Sequence, residues 1–421
     1  MPIIDVAVPV PLRQTFSYTS EQKLAPGVRV SVPFGRRQLI GVVTASYDDP
    51  SDDTESEVKL KAVSEVLDEQ PLFDASLQAL TQWLANYYHH PIGEVWATVM
   101  PTRLRKGGAL SDSVPALTLT DAGQAEAQTP TLRGKKQLEC IALLAREPLA
   151  TEEIKTKFSN VVLKALEEKA LTTQTSIRLT EKQDWASFSL LQTPPTASTE
   201  QGVAIAAINQ QASHFVPFLL DGVTGSGKTE VYLQVIEPVL KQGRQVLILV
   251  PEIGLTPQTV GRFERRFGIN VGVLHSQMTD LARVKVWQQA RRGELGIIIG
   301  TRSAIFTPLK RPGMIIVDEE HDESFKQQDG LRYHARDLAV KRAHTENVPL
   351  ILGSATPSLE SLNNALNKRY THLTLSQRAG GASHTQLKVL DSRDQPLHAG
   401  IAQGLISIMR SHLQQGNQVL V

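Results

Sequence analysis

A single cysteine, Cys140, occurs among the 421 residues. That excludes an intrachain disulfide framework and a cysteine-cluster zinc site. No apolar run approaches the roughly 20 residues needed to cross a bilayer. Met1 is followed by a proline and, soon after, Asp5, not by a basic start and an apolar signal core. Neither sign of charge is in excess: 44 Lys and Arg face 43 Asp and Glu, for a net +1. A nucleic-acid surface must therefore come from local clustering, not from overall charge. Aromatic residues make up only 5%, and no internal repeat at solenoid spacing is found. What is present is a 41% hydrophobic content, ample for several cores. The length suggests two to four domains, and the expectation is a soluble, cytoplasmic protein of bacterial type.

Residues 3–10, 28–33 and 39–45 read as short strands between Pro and Gly turns. An acidic, turn-rich loop at 48–57 follows, then a strand at 61–67 and a helix near 74–88. Together they predict a small β-rich domain over 1–105. Residues 106–130 lose periodicity and gain Gly, Ser and Ala, the composition of a linker. Helices are expected at 134–145, 151–158 and 160–168, the middle one opening on the capping pattern Thr151-Glu-Glu. With a hairpin wing at 171–179 they predict a winged helix over 131–180, a module that binds either nucleic acid or protein. A second linker, 181–199, contains the Pro-rich joint 192–199. Apolar strands then alternate with longer helices, at 217–220, 245–250, 271–274, 295–300, 314–317 and 349–352. That pattern indicates a parallel sheet covered on both faces, within a domain at 200–385. The fold class is α/β and multidomain.

The strand at 218–220 runs into Gly222-Val223-Thr224-Gly225-Ser226-Gly227-Lys228-Thr229, and a helix follows from Glu230. Strand, glycine-rich loop and helix form a phosphate-binding loop. The glycines let successive N–H groups turn inward onto phosphate oxygens, and the helix N-terminus adds donors and a positive dipole. Lys228 should reach the β- and γ-phosphates of ATP, and the Thr229 hydroxyl should ligate magnesium. The strand at 314–317 delivers Asp318-Glu319-Glu320-His321 to its C-terminal edge, where ligands sit in open α/β sheets. Asp318 would hold magnesium through water, and Glu319 would orient and deprotonate the attacking water. Three more segments lie at strand ends of the same sheet. Thr256, Thr301 and Arg302 are candidate contacts to DNA phosphates. Ser354 and Thr356 stand where the γ-phosphate could be sensed, and His321 joins them as a coupling residue. In 325–336, aromatic and basic residues interleave around a Gly turn, chemistry suited to stacking on bases while holding phosphates.

These motifs, in this order, resemble the first motor lobe of a superfamily 2 helicase. The longer strings at 221–232, 249–258, 300–308, 318–328 and 332–337 resemble the primosomal replication-restart DNA helicases. The resemblance implies a RecA-like lobe and an ATP-driven 3′-to-5′ helicase that recognises abandoned replication forks. It also implies an N-terminal domain that binds a DNA 3′ end, with Phe16, Ser17, Tyr18, Gly35 and Lys61 lining the pocket. The family pattern has an acid where this chain has Ser17, which weakens acceptance of a terminal 3′-hydroxyl. Gln201 is implied as the adenine reader. Phe325, Arg332, Tyr333 and Arg336 are implied DNA contacts in an aromatic-rich loop that couples DNA binding to hydrolysis. The implied partners are fork and single-stranded DNA, single-strand-binding protein and other primosome proteins, with the chain a monomer and no membrane involved. Residues 386–421 read as the start of a truncated second lobe, with a helix at 401–413 and a strand opening at 418–421. The family's zinc module, expected in the full-length protein, needs cysteines that these residues lack. Such a fragment is expected to bind ATP and fork DNA but to hydrolyse and unwind weakly. Two rivals are a nuclease or restriction translocase, for which no extra carboxylate cluster is seen, and a pure docking module. Intact Lys228, Thr229, Asp318 and Glu319 weigh against the second.

Overall fold

The structure is a computed structural model and describes residues 1–48, 60–110, 113–178, 185, 188–378 and 387–421. The chain divides into two compact units, Met1–Arg378 and Ala379–Val421. Most of the acidic loop expected at 48–57 lies outside the described residues.

The first unit opens with an antiparallel sheet of five strands: β1 (Ile3–Ala7), β2 (Phe16–Thr19), β3 (Arg29–Phe34), β4 (Arg37–Tyr47) and β5 (Glu65–Val66), in the order β2-β1-β4-β3-β5. Alternation sorts its side chains: Ile4, Val6, Val30, Val32 and Val43 all point into the domain core. The β3–β4 hairpin turns on Gly35, at φ +60°, a conformation that a β-carbon disfavours. Helices α1 (Ala75–Tyr87), α2 (Ile92–Val99) and α3 (Thr102–Arg105) follow. Asp74 caps α1 by accepting from Leu77 N at 2.9 Å.

Residues expected to form a linker instead fold. Strand β6 (Ser113–Leu119) and helix α4 (Asp121–Gln128) lie there. Helix α5 (Lys135–Leu144), strand β7 (Leu149–Ala150), helices α6 (Thr151–Lys157) and α7 (Asn160–Glu168) and strand β8 (Thr172–Arg178) complete the module. Its sheet runs β7-β6-β8, so the expected local hairpin at 171–179 is replaced by pairing of β8 with β6, more than 50 residues away in sequence. Thr151 is the first helical residue of α6, not its cap; Ala150 occupies the cap without a side-chain bond.

The rest of the first unit is a seven-stranded, wholly parallel sheet. It comprises α8 (Thr199–Gln210), β9 (Pro217–Gly222), α9 (Lys228–Lys241), β10 (Gln245–Leu249), α10 (Pro257–Phe267), β11 (Val271–Leu274), α11 (Asp280–Arg292) and β12 (Ile297–Gly300). Strand β13 (Pro312–Asp318), α12 (Ala335–Glu346), β14 (Leu350–Ser354), α13 (Leu359–Leu366) and β15 (Thr371–Leu375) follow. The strand order is β11-β12-β10-β13-β14-β9-β15. Central strands are buried on both faces: Val246, Ile248, Met314 and Ile316 pack on one side, and Leu247, Leu249, Ile315 and Val317 on the other. Each such side chain contributes about 1.5–3 kcal/mol of burial, which is why these strands read as unbroken apolar runs. The N-terminal domain docks on this lobe. Arg291 donates to the carbonyls of Leu72 at 2.9 Å and Pro71 at 2.7 Å, and Phe73 meets Trp287 edge-on at 5.6 Å.

The second unit contains β16 (Leu397–His398), β17 (Ile401–Ala402) and α14 (Gln403–Gln414). The helix expected at 401–413 is present from Gln403. Residues 418–421 are described without strand structure, because a lone apolar segment has no partner to complete its ladder.

Candidate functional site

Strand β9 delivers the chain into the loop at 222–229, and α9 begins at Lys228. Gly225 and Gly227 adopt φ of +82° and +85°. Gly222 is held by space: a β-carbon there would stand 2.7 Å from Ser226 Oγ and 3.1 Å from Lys228 Cγ. Gly227 occupies the helix cap with no side-chain acceptor, so no side chain competes with an anion for the N–H groups of Lys228 and Thr229, whereas that of Glu230 already donates to the Gly227 carbonyl at 2.9 Å. Ser226 Oγ is buried without a hydrogen-bond partner among the described residues, an orphan that a loop-bound ligand would satisfy. Lys228 Nζ donates to the Gly222 carbonyl at 2.9 Å and lies 3.7 Å from Glu319 Oε1. A cleft of about 490 Å³ opens here, lined by 224–230, Asp318 and Glu319, and also by Gln192, Leu233, Arg262, Arg265 and Arg266. The size is right for a nucleotide. The loop, the lysine and two acids from a distant strand therefore converge on one cavity.

The acids occupy three environments. Asp318, at the end of β13, accepts from the Tyr232 hydroxyl at 2.9 Å. Loss of solvent, with the Glu319 charge beside it, raises its carboxyl above the usual range. Glu319 stands at φ +48°, left-handed for a residue other than glycine, and faces the cleft. Glu320 turns inward and is 0% exposed. It accepts from Ser358 N at 2.7 Å, Ser358 Oγ at 3.0 Å, Ser361 Oγ at 2.9 Å and Arg336 Nη1 at 3.3 Å. His321 Nδ1 lies 2.7 Å from Ser354 Oγ, which accepts from Thr356 N at 3.0 Å, so the three residues expected to couple the site form one chain. His321 Nδ1 is also 3.7 Å from Glu319.

Sequence comparison gives this geometry a family. Residues 5–101 match the 3′DNA-binding domain (3′BD) of PriA, and residues 198–365 match the DEAD/DEAH box helicase domain. The replication restart protein PriA of Haemophilus influenzae is 43% identical over 432 aligned residues, covering 100% of this chain and 58% of that protein. The chain belongs to the PriA replication-restart family. The PriA of Chlamydia trachomatis is 38% identical, over 84% of this chain and 49% of that protein. The chain thus spans about half to three fifths of the length of these PriA relatives. Among solved structures, RecG bound to a three-way DNA junction is 23% identical with a TM-score of 0.40, covering 53% of this chain and 29% of that one.

In this PriA-family chain several residues expected at the site sit elsewhere. Gln201 is buried beneath the loop, its Nε2 donating to Ser226 O at 2.8 Å and its Oε1 accepting from Ser198 N at 2.9 Å. One end of the amide braces the loop and the other closes the capping box of α8, and Gln201 does not line the cleft. Phe325 is 0% and Tyr333 2% exposed, so neither face is open to a base. Tyr333 stands edge-on to Phe306 at 5.0 Å, and burial pushes its hydroxyl up to about 12. Arg336 is buried against Glu320, pairs also with the partly exposed Asp337, and is not presented to phosphate. Arg332 is exposed. Arg302 Nη1 donates to the carbonyls of Ser324 and Lys326, both at 2.9 Å, and so ties down the aromatic segment. Thr256 and Thr301 do meet, in a second cleft of about 630 Å³ that also holds Glu252 and His275.

In the 3′DNA-binding domain, strand alternation separates the expected pocket. Tyr18 and Phe16 belong to the core side of β2, Phe16 edge-on to Phe34 at 5.0 Å, whereas Ser17 points to the opposite face. There Ser17 Oγ donates to Asp5 Oδ1 at 2.7 Å, and Tyr47 donates to the same oxygen at 3.2 Å. A carboxylate therefore stands beside Ser17 after all, supplied by the neighbouring strand. Gly35 lies at the hairpin tip, and the Lys61 carbonyl accepts from Thr19 N at 3.0 Å with the side chain exposed. Sequence reasoning missed Tyr232, Arg262 and Arg265, since nothing in their spacing from the loop marks them as neighbours of the cleft.

Proposed function

We propose that this chain binds ATP with magnesium in the 490 Å³ cleft and uses it as the first motor lobe of a 3′-to-5′ DNA helicase that restarts abandoned replication forks. The observation that carries the reading is the approach of Lys228 to within 3.7 Å of Glu319, beside a glycine-rich loop whose helix cap has no side-chain acceptor. Lys228 would exchange the Gly222 carbonyl for the β- and γ-phosphates. Thr229 and Asp318 would hold magnesium, which when bound neutralises developing charge on the phosphates. Glu319 would orient the attacking water and take its proton. The chain His321–Ser354–Thr356 would report the state of the γ-phosphate to the adjoining strand ends.

On this reading the domain at 5–101 engages the 3′ end of a nascent strand. Thr256 and Thr301 contribute phosphate contacts from the 630 Å³ cleft, and exposed Arg332 adds a cation. The partners are fork DNA, single-stranded DNA, single-strand-binding protein and other primosome components, the chain acting as a monomer in the cytoplasm. No helix among the described residues is long and apolar enough to cross a membrane. Among the described residues there is one parallel sheet, and arginine fingers from a second lobe raise related phosphate chemistry by about 10³–10⁵. The 421 residues by themselves are therefore expected to bind nucleotide and turn it over slowly.

The test is Lys228→Ala, followed by fluorescent-nucleotide binding and fork binding in parallel. Loss of nucleotide affinity with fork affinity retained is the expected result. Equal nucleotide binding by both proteins would remove the basis of the motor reading. Forks carrying a 3′-hydroxyl or a 3′-phosphate at the arm, compared at two salt concentrations, test end recognition separately.

A further inference from the structure

Tyr232 lies one turn into α9, four residues beyond Lys228 and three beyond Thr229. It is 1% exposed. A phenylalanine would fill the same apolar space among Val231, Val235 and Ile316, so packing does not account for the hydroxyl. The hydroxyl occupies a reserved position. It donates to Asp318 Oδ1 at 2.9 Å, and a β-carbon on Gly353 would stand 1.7 Å from it. Asp318 and Gly353 are register partners on β13 and β14. Three elements therefore meet at one oxygen: the helix that begins at the phosphate loop, the strand that ends in the acids, and the strand that ends in Ser354. A buried hydroxyl without a partner is unfavourable, and so is a desolvated carboxylate without a donor. Each satisfies the other; the Glu319 backbone N–H also donates to this carboxylate, and Tyr232 is the side chain that donates to it from the loop helix.

We propose that Tyr232 is a positioning residue for the metal-binding carboxylate: by holding Asp318 Oδ1 it fixes the side-chain rotamer and directs the other oxygen to the metal–nucleotide complex. Gly353 is required because only glycine leaves room for that hydroxyl. The position also makes Tyr232 the point at which the loop helix touches the Gly353–Thr356 segment, so movement of that segment would be felt at the metal ligand. This inference rests on the nucleotide–magnesium reading above and gives Tyr232 a role that the phosphate-loop pattern does not assign. Partners that orient metal-ligating side chains typically change metal affinity by 10–100-fold when removed.

The experiment uses Tyr232→Phe in the 421-residue chain. Manganese binding is followed by electron paramagnetic resonance in the presence of ADP, and affinity for a fluorescent ADP is measured in EDTA and across a magnesium titration. The expected result is unchanged affinity in EDTA with a metal dissociation constant about 10–100-fold weaker. Metal affinity equal to that of the unaltered chain would overturn the proposal. If the unaltered chain itself shows no metal-dependent nucleotide binding, the nucleotide-site reading fails first, and the two failures are told apart by that control. Should Tyr232→Phe not fold, Gly353→Ala displaces the hydroxyl while keeping both partners. The same weakening supports the proposal, and undiminished metal affinity overturns it.

Discussion

Arg336→Met separates two roles that look alike in sequence, a phosphate contact and an internal brace. The side chain is 10% exposed and its partner Glu320 is 0% exposed. Arg336 donates to Ser358 Oγ at 2.6 Å, Asp337 Oδ1 at 3.0 Å and Glu320 Oε2 at 3.3 Å. Methionine keeps most of the volume and removes the charge, so Glu320 is left buried with no cation. Removing one partner of a buried ion pair costs about 3–5 kcal/mol. Glu320 keeps three other donors, two from Ser358 and one from Ser361, so the loss should fall near the lower end, about 3 kcal/mol. At about 2–4 °C per kcal/mol for a domain of this size, the thermal midpoint should drop by roughly 6–12 °C. The assay pairs thermal unfolding with the salt dependence of single-strand binding. A phosphate contact, once lost, would flatten the slope of log K against log salt by about 0.7. The expected outcome is a lowered midpoint with an unchanged slope. An unchanged midpoint with a flattened slope would refute the reasoning.

Phe325→Ala should behave as a core cavity, lowering stability by about 3–5 kcal/mol in chemical denaturation, because the ring is 0% exposed; a loss confined to DNA affinity would contradict this. Glu126 accepts from Thr131 Oγ1 at 2.7 Å and Leu132 N at 2.7 Å, and these bonds hold its carboxyl below the ordinary value. Because its folded value is depressed, its contribution is present above the unfolded carboxyl range and is lost as pH falls through the lower folded value. Hydrogen exchange at Leu132 N–H should therefore lose protection in that acid window, and Glu126→Gln should abolish this pH dependence. Burial pushes the Cys140 thiol up to about 11, so native protein at pH 8 should resist a disulfide-exchange reagent until unfolded; rapid native labelling would show the site to be open.

Much of the motor lobe was legible because its physics is local. Strands buried on both faces read as apolar runs, and the loop at 222–229 carries its glycines at fixed offsets. The convergence of Lys228 with Asp318 and Glu319 could be anticipated from strand-end geometry alone. The strand at Ser113–Leu119 was not legible. Gly107-Gly108 before it and Pro115 within it look like linker chemistry, yet Val114 and Ala116 alternate inward while Pro115 faces out, opposite Ser176 and beyond the reach of β7. The aromatic segment misled for a different reason. Residue types suited to gripping a strand of DNA are equally suited to filling a cavity, and only the tertiary packing of Phe325 and Tyr333 decides between them. Ser17 was read as a missing acid because cross-strand neighbours are invisible in a linear sequence, and Asp5 is twelve residues away.

The left-handed backbone at Glu319 has a wider meaning for how this site is built. A pleated ribbon can aim successive side chains up or down and nowhere else. Three neighbouring carboxylates on such a ribbon would put the first and third on the same side, where like charges oppose each other. One residue bent into a sparsely populated region breaks that two-way choice and sends Glu320 off into the protein interior as an anchor for α12 and α13. The triplet sends two negative groups into the cleft instead of three, and the third is turned into part of the scaffold that holds them.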